Sequence, residues 1–178
     1  LTSLHLENLP SLRALDLRNT KVTTLNVILP SLEFLDISNT KISNDLPDSP
    51  NLLSLDNSGC KFKDFDLLPI ATKYQRLQRL RSLNYSGSYE KRIILNLNKL
   101  SEHPTLEHVI CGYSSVICDS ISQKTHITTI CLQYPTFVEG TKEQFLSKFH
   151  AIVIDSQECD ISKLPDYHRM KWEESALL

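Results

Sequence analysis

A chain of 178 residues, 40% hydrophobic and 22% charged, is large enough for one domain with its own core and is not composed like a disordered segment. Its formal net charge of −2, with no Lys/Arg run reaching five residues, supplies no positive field to gather phosphates and argues against a nucleic-acid partner. No stretch approaches the roughly 18 apolar residues of a membrane span, and Leu1-Thr2-Ser3-Leu4 lacks the basic n-region of a signal peptide, so no membrane partner is expected.

Taken from the start, Leu1-Thr-Ser-Leu4-His-Leu6-Glu-Asn-Leu9-Pro10 matches Val22-Thr-Thr-Leu25-Asn-Val27-Ile-Leu29-Pro30 with one extra residue. It is the back half of a unit whose strand half is missing, so the first unit is expected to be truncated and the chain to be a fragment with an upstream neighbour over its edge. The unit itself is plain in Leu12-Arg-Ala-Leu15-Asp-Leu17-Arg-Asn-Thr20 and Leu32-Glu-Phe-Leu35-Asp-Ile37-Ser-Asn-Thr40, which repeat with a period of 20. A third copy, Leu52-Leu-Ser-Leu55-Asp-Asn57-Ser-Gly-Cys60, stays in phase, and Pro10, Pro30 and Pro50 precede the three copies at the same spacing. Asn57, where leucine belongs, puts a polar amide in the core.

Beyond Cys60 only the strand half of the unit persists, in Leu80-Arg-Ser-Leu83, Leu106-Glu-His-Val109, Ile127-Thr-Thr-Ile130 and Phe149-His-Ala-Ile152, which makes seven strands in all. The spacing between units lengthens to 28 and 26 residues, room for helices on the outer arc. Asp66 followed by Leu67, Leu68, Ile70, Tyr74 and Leu77 predicts a capped amphipathic helix, and Ile93, Ile94, Leu97 and Leu100 keep helical spacing up to Pro104. Thr141-Lys-Glu-Gln144 is a capping box ahead of Phe145, Leu146 and Phe149. The solenoid is expected over residues 1–159, and residues 160–178, with Trp172, depart from the repeat as a C-terminal cap or linker.

The pattern resembles the leucine-rich-repeat family, consensus LxxLxLxxNxL, with Thr20, Thr40 and Cys60 where that family carries asparagine. The resemblance implies an α/β leucine-rich-repeat solenoid, with a curved parallel sheet on the concave face and turns or helices on the convex face. Alternate strand residues then project from the concave face in columns. One column reads Ala14, Phe34, Ser54, Ser82, His108, Thr129 and Ala151. The next reads Asp16, Asp36, Asp56, Asn84, Ile110, Cys131 and Val153, and the third Arg18, Ser38, Ser58, Ser86, Gly112, Gln133 and Asp155. Three stacked aspartates repel one another unless a cation intervenes, which nominates Asp16, Asp36 and Asp56 for contact with a basic protein or peptide partner. Arg18, Phe34, Asn84 and His108 complete the candidate surface, Phe34 as an aromatic anchor. The competing reading is a solvated Leu-Asp-Leu strand with no ligand.

Neither a catalytic nor a metal site is expected: His5, His103, His108, His126, His150 and His168 have no Cys, His or carboxylate at established ligand spacing, and four glycines are too few for a phosphate-cradling loop. No cofactor is implied. Cys60, Cys111, Cys118, Cys131 and Cys159 are scattered and odd in number, and read as reduced thiols of a cytoplasmic or nuclear protein. The mixture of short Leu-Asp-Leu repeats with longer units such as Asn98-Lys-Leu100-Ser-Glu-His103-Pro-Thr-Leu106 resembles substrate receptors of cullin-type ubiquitin ligases, of the Zyg/Zer or F-box type. That resemblance implies a substrate-recognition part whose adaptor-docking box lies outside this chain. A regulatory scaffold resembling phosphatase-regulating leucine-rich-repeat proteins is the alternative, and a hydrolase with an unrecognised His/Asp site the third.

Overall fold

A computed structural model describes residues 6, 9–43, 46–60, 66–83 and 92–149, together with the backbone of 152–154. Seven strands line up in one parallel sheet, in the order β1 (Ala14–Asp16), β2 (Phe34–Asp36), β3 (Ser54–Asp56), β4 (Arg79–Ser82), β6 (His108–Gly112), β8 (Thr129–Gln133) and β10 (Ile152–Ile154). A second parallel sheet of three, β5 (Ile93–Asn96), β7 (Ser114–Ile117) and β9 (Thr136–Glu139), takes one strand from each of the later coils. The architecture is a parallel β-solenoid with few helices, and the seven expected strands are present.

Each early coil is built by three local devices. A turn before the strand has the repeat leucine's N–H donating to the carbonyl three residues back: Leu12 to Leu9, Leu32 to Leu29 and Leu52 to Ser49, at 3.2, 3.1 and 3.1 Å. Pro10, Pro30 and Pro50 fall at the second position of these turns, where a fixed φ suits and no N–H is needed. After the strand the aspartate turns the chain, its Oδ1 accepting from the backbone N–H two residues on: Arg18 to Asp16 (3.0 Å), Ser38 to Asp36 (2.9 Å) and Ser58 to Asp56 (2.9 Å). The residue after that takes a left-handed φ in every case: 58° at Asn19, 55° at Asn39 and 70° at Gly59. Asn and Gly are the residues that tolerate it.

Cys60 donates to the Ile37 carbonyl at 3.0 Å and lies 3.4 Å from Thr40 Oγ1. Inside the coils, Val22, Leu25, Leu29, Leu32, Leu35, Ile37, Leu55, Leu80, Val109, Ile130 and Phe145 belong to one continuous buried cluster. Asn57 lies in it 3% exposed, with its Oδ1 unbonded, as the sequence led one to expect of a polar intruder.

Two sequence expectations are corrected in the middle of the chain. The fourth unit begins at Leu77 and not Leu80, because Leu80 pairs with Leu55. Leu77-Gln-Arg-Leu80 and Leu80-Arg-Ser-Leu83 are overlapping frames of the same pattern, and the turn decides between them: Leu77 N–H donates to Tyr74 O at 2.9 Å, repeating the device of the earlier coils. Tyr74 fills the place of Leu29, its ring buried and its hydroxyl donating to Pro47 O at 2.8 Å. The helix before it, α1 (Leu68–Lys73), is accordingly short, with Leu68 N–H held by Asp66 Oδ1 at 2.9 Å.

The expected helix over Ile93–Leu100 is strand first and helix only at α2 (Leu97–Leu100), since Ile93–Asn96 pairs with Ser114–Ile117. A four-residue apolar run fits either period. The capping box is borne out in α3 (Lys142–Lys148), where Thr141 and Gln144 exchange side-chain to backbone bonds at 3.1 and 2.8 Å. Beyond it, Ile152 pairs with Cys131 and Val153 with Leu132, one residue out of the expected alignment on Ile130 and Cys131.

Candidate functional site

The face of the long sheet opposite the core carries the columns read from the sequence, and in β1 to β3 the register is as expected: Ala14, Phe34 and Ser54 stand side by side, as do Asp16, Asp36 and Asp56. The frame shift then changes the columns. Arg79 occupies the place assigned to Ser82, next to His108, and Arg81 the place assigned to Asn84, next to Asp56. Asn84, Ser86, Ala151, Asp155, Cys159, Trp172, His5, His150, His168 and the 160–178 segment lie outside the described residues.

Electrostatically, this converts an acidic ladder into a mixed row. Arg18 grips Asp16 with Nε and Nη2 at 3.0 and 2.7 Å and reaches Asp36 Oδ2 at 3.4 Å, while Arg81 Nε lies 3.5 Å from Asp56 Oδ2. The carboxylates thus share the chain's own guanidinium groups. Burial raises the Asp16 carboxyl, but the bonds and charge of Arg18 outweigh it, and Asp16 is held below its ordinary value.

Asp36 is different. Burial and then the neighbouring Asp56 push its carboxyl up to about 6, against the opposing hydrogen bonds of Ser38 and the charge of Arg18. Its Oδ1 is taken by the Ser38 N–H and hydroxyl at 2.9 and 2.7 Å, and its Oδ2 is paired, among the described residues, with Arg18 at 3.4 Å. Asp36 thus combines a raised carboxyl with 23% of its side chain still exposed, whereas Asp56 beside it is buried.

Exposure falls along the row. Asp16 is exposed and Phe34 and Asp36 are half-buried, whereas Ser54, Asp56, Ser58, Arg79, His108, Ile110 and Cys131 are buried. The sequence carries the reason: Leu-Asp-Leu alternates as a half-solvated strand does, but Val109-Ile110-Cys111 and Ile130-Cys131-Leu132 are unbroken apolar runs, the composition of strands withdrawn from water on both faces. His108 is thus a buried residue, its Nε2 3.5 Å from Glu107 Oε2.

His103 is structural. Its Nε2 lies 3.0 and 3.2 Å from the Ala71 and Tyr74 carbonyls, to which it donates, and its Nδ1 accepts from Leu106 and Thr105 N–H at 3.0 and 3.3 Å. Burial lowers its proton affinity further than those carbonyls restore it. No disulfide joins the four described cysteines, and burial raises Cys60, Cys118 and Cys111, the last to about 12. Among the described residues no three His, Cys, Asp or Glu side chains gather as a metal site, and no helix is long and apolar enough to cross a membrane.

Two features escaped the sequence reading. A groove of about 400 Å³ runs along the side where the strands begin, lined by Arg13, Glu33, Asn51 and Arg76 and bridged by an Arg13–Glu33 pair at 2.7 Å. Tyr113 and Tyr134, each with φ of 50°, stack at 4.8 Å where the chain leaves the long sheet. Their identical place in successive coils was the available signal for the second.

Fold and surface together define a class, a parallel β-solenoid presenting a charged, internally bridged sheet face. No family model, no curated protein and no solved structure matches the chain.

Proposed function

We propose that this chain is a leucine-rich-repeat scaffold without catalysis of its own, which binds a basic protein or peptide segment on the Asp16, Phe34 and Asp36 surface. The observation that carries the reading is Asp36: a carboxylate in register with two others, still 23% exposed, that burial and the neighbouring Asp56 raise despite its bonds to Ser38 and the charge of Arg18. A lysine or arginine of the partner supplies the missing cation, and half-buried Phe34, beside Ala14 and Ser54, supplies apolar contact. The resemblance of the repeats supports a role in substrate recognition by a cullin-type ubiquitin ligase, in the cytoplasm or nucleus. The ligase adaptor would dock through a region outside this chain.

The test is affinity capture from cell lysate with the wild-type chain and an Asp16→Asn/Asp36→Asn pair, compared by quantitative mass spectrometry. Asparagine keeps the Oδ1 that turns the chain and removes only the charge. Partners should be lost from the double variant, with circular dichroism unchanged. Cullin-adaptor peptides among them favour the ligase reading and phosphatase subunits the regulatory one. Full retention of every partner sinks the proposed surface.

A further inference from the structure

The same sheet face holds a cation that no described residue answers. Arg79 is 9% exposed, and among the described residues it makes no hydrogen bond or ion pair. Its Nε is shut away from solvent without a partner, whereas its two terminal nitrogens are not sealed in that way. Arg81 projects from the same face of β4 two residues on, roughly 7 Å along the strand, and Asp56, the carboxylate in register with Arg81, is already engaged by the Ser58 N–H at 2.9 Å and by Arg81 at 3.5 Å. A guanidinium whose Nε is sealed from water beside a second cation is costly unless an anion meets its open edge. A guanidinium edge presents paired N–H groups that match a planar carboxylate.

Resting on the reading of Asp36 given above, we infer that the partner segment also carries an aspartate or glutamate, which pairs with Arg79. Asp36 on β2 and Arg79 on β4 are two strand spacings and two residues apart, a diagonal of roughly 12 Å, or three to four residues of extended peptide. The sheet face therefore selects a segment of mixed charge, basic over β1 and β2 and acidic over β4, and the charge order sets which way the segment lies.

A random peptide library displayed on phage, selected in parallel on the full chain and on its Arg79→Met, Arg79→Lys and Asp36→Asn variants, tests this. The wild type should enrich peptides with Asp or Glu three or four residues from Lys or Arg. Arg79→Met should lose the acidic preference and keep the basic one, Asp36→Asn should do the reverse, and Arg79→Met should melt no lower than the wild type. Should Arg79→Met fail to fold, Arg79→Lys, which keeps the charge without the planar fork, must bind the selected peptides about tenfold more weakly. Peptides carrying Lys or Arg with no acidic preference, or an acidic preference that survives Arg79→Met, overturn the inference and leave the reading of Asp36 standing. Absence of any enrichment on the wild type removes both. A dimer in light scattering that Arg79→Met abolishes would make a second copy the occupant and overturn the peptide.

Discussion

Asp36 and His103 pull the pH dependence of stability in opposite directions. The Asp36 carboxyl is raised from 3.8 to about 6 in the fold. Below about pH 4 it is protonated folded or unfolded and contributes no penalty; as pH rises through 6 the unfolded chain gains by ionising first, and stability is lost. His103 is lowered, so its contribution is complete above the unfolded value of about 6.5 and lost as pH falls below it. Asp36→Asn isolates the first effect: by thermal or urea unfolding it should nearly equal the wild type below about pH 4 and exceed it near pH 7.5 by about 2–3 kcal/mol. A difference independent of pH would mean that Asp36 is not the titrating group. Asp36 was legible as a candidate from the in-phase Leu-Asp-Leu repeat alone. Its raised carboxyl was not, since that depends on how far Asp36 is buried and how close Asp56 and Arg18 come to it.

The turn that ends each strand is the element on which the solenoid depends. Asn19, Asn39 and Gly59 suit a left-handed φ, but Tyr113 and Tyr134 adopt it as well. The strain, roughly 1 kcal/mol for a residue with a Cβ, is comparable to the roughly 0.5–1.5 kcal/mol of an aromatic pair, so the stack at 4.8 Å offsets most of what one such corner costs. Gly140 has no such compensation to offer. Its φ is 84°, and a Cβ there would lie 2.9 Å from Cys118 Sγ and 3.0 Å from the backbone N of Asp119 and C of Cys118. Gly140→Ala should therefore cost about 2–3 kcal/mol in chemical denaturation. A loss under about half a kcal/mol would show that the backbone of β9 and α3 shifts freely, contrary to the close approach seen here.

Across the whole molecule, each coil buries its apolar side only against its neighbours, so stability grows inward from the ends. All five residues of β6 are buried, whereas β1 has two half-buried residues and one exposed. Native-state hydrogen exchange should find the amides of β6 and β8 opening only with global unfolding, and those paired between β1 and β2 opening locally at several kcal/mol less. Uniform protection along the long sheet would refute this, and would mean that the chain unfolds as a single unit.

The repeat, the seven strands of the long sheet, the register of the three aspartates and the capping box ahead of Phe145 were determined by the sequence alone, because each depends on residues close along the chain or at a fixed period; the three strands of the second sheet were not. The frame of the fourth coil was decided by tertiary structure: two LxxL patterns overlap between Leu77 and Leu83, and only the turn at Tyr74, whose hydroxyl reaches Pro47 in an earlier coil, selects between them. The same holds for Ile93–Asn96, a run too short to declare its period, which became a strand because Ser114–Ile117 lies alongside to pair with it. A three-residue change of frame set Arg81 beside Asp56 and Arg79 between Ser54 and His108, so the charge pattern of the sheet face, and with it the kind of segment the face would accept, depended on packing between coils.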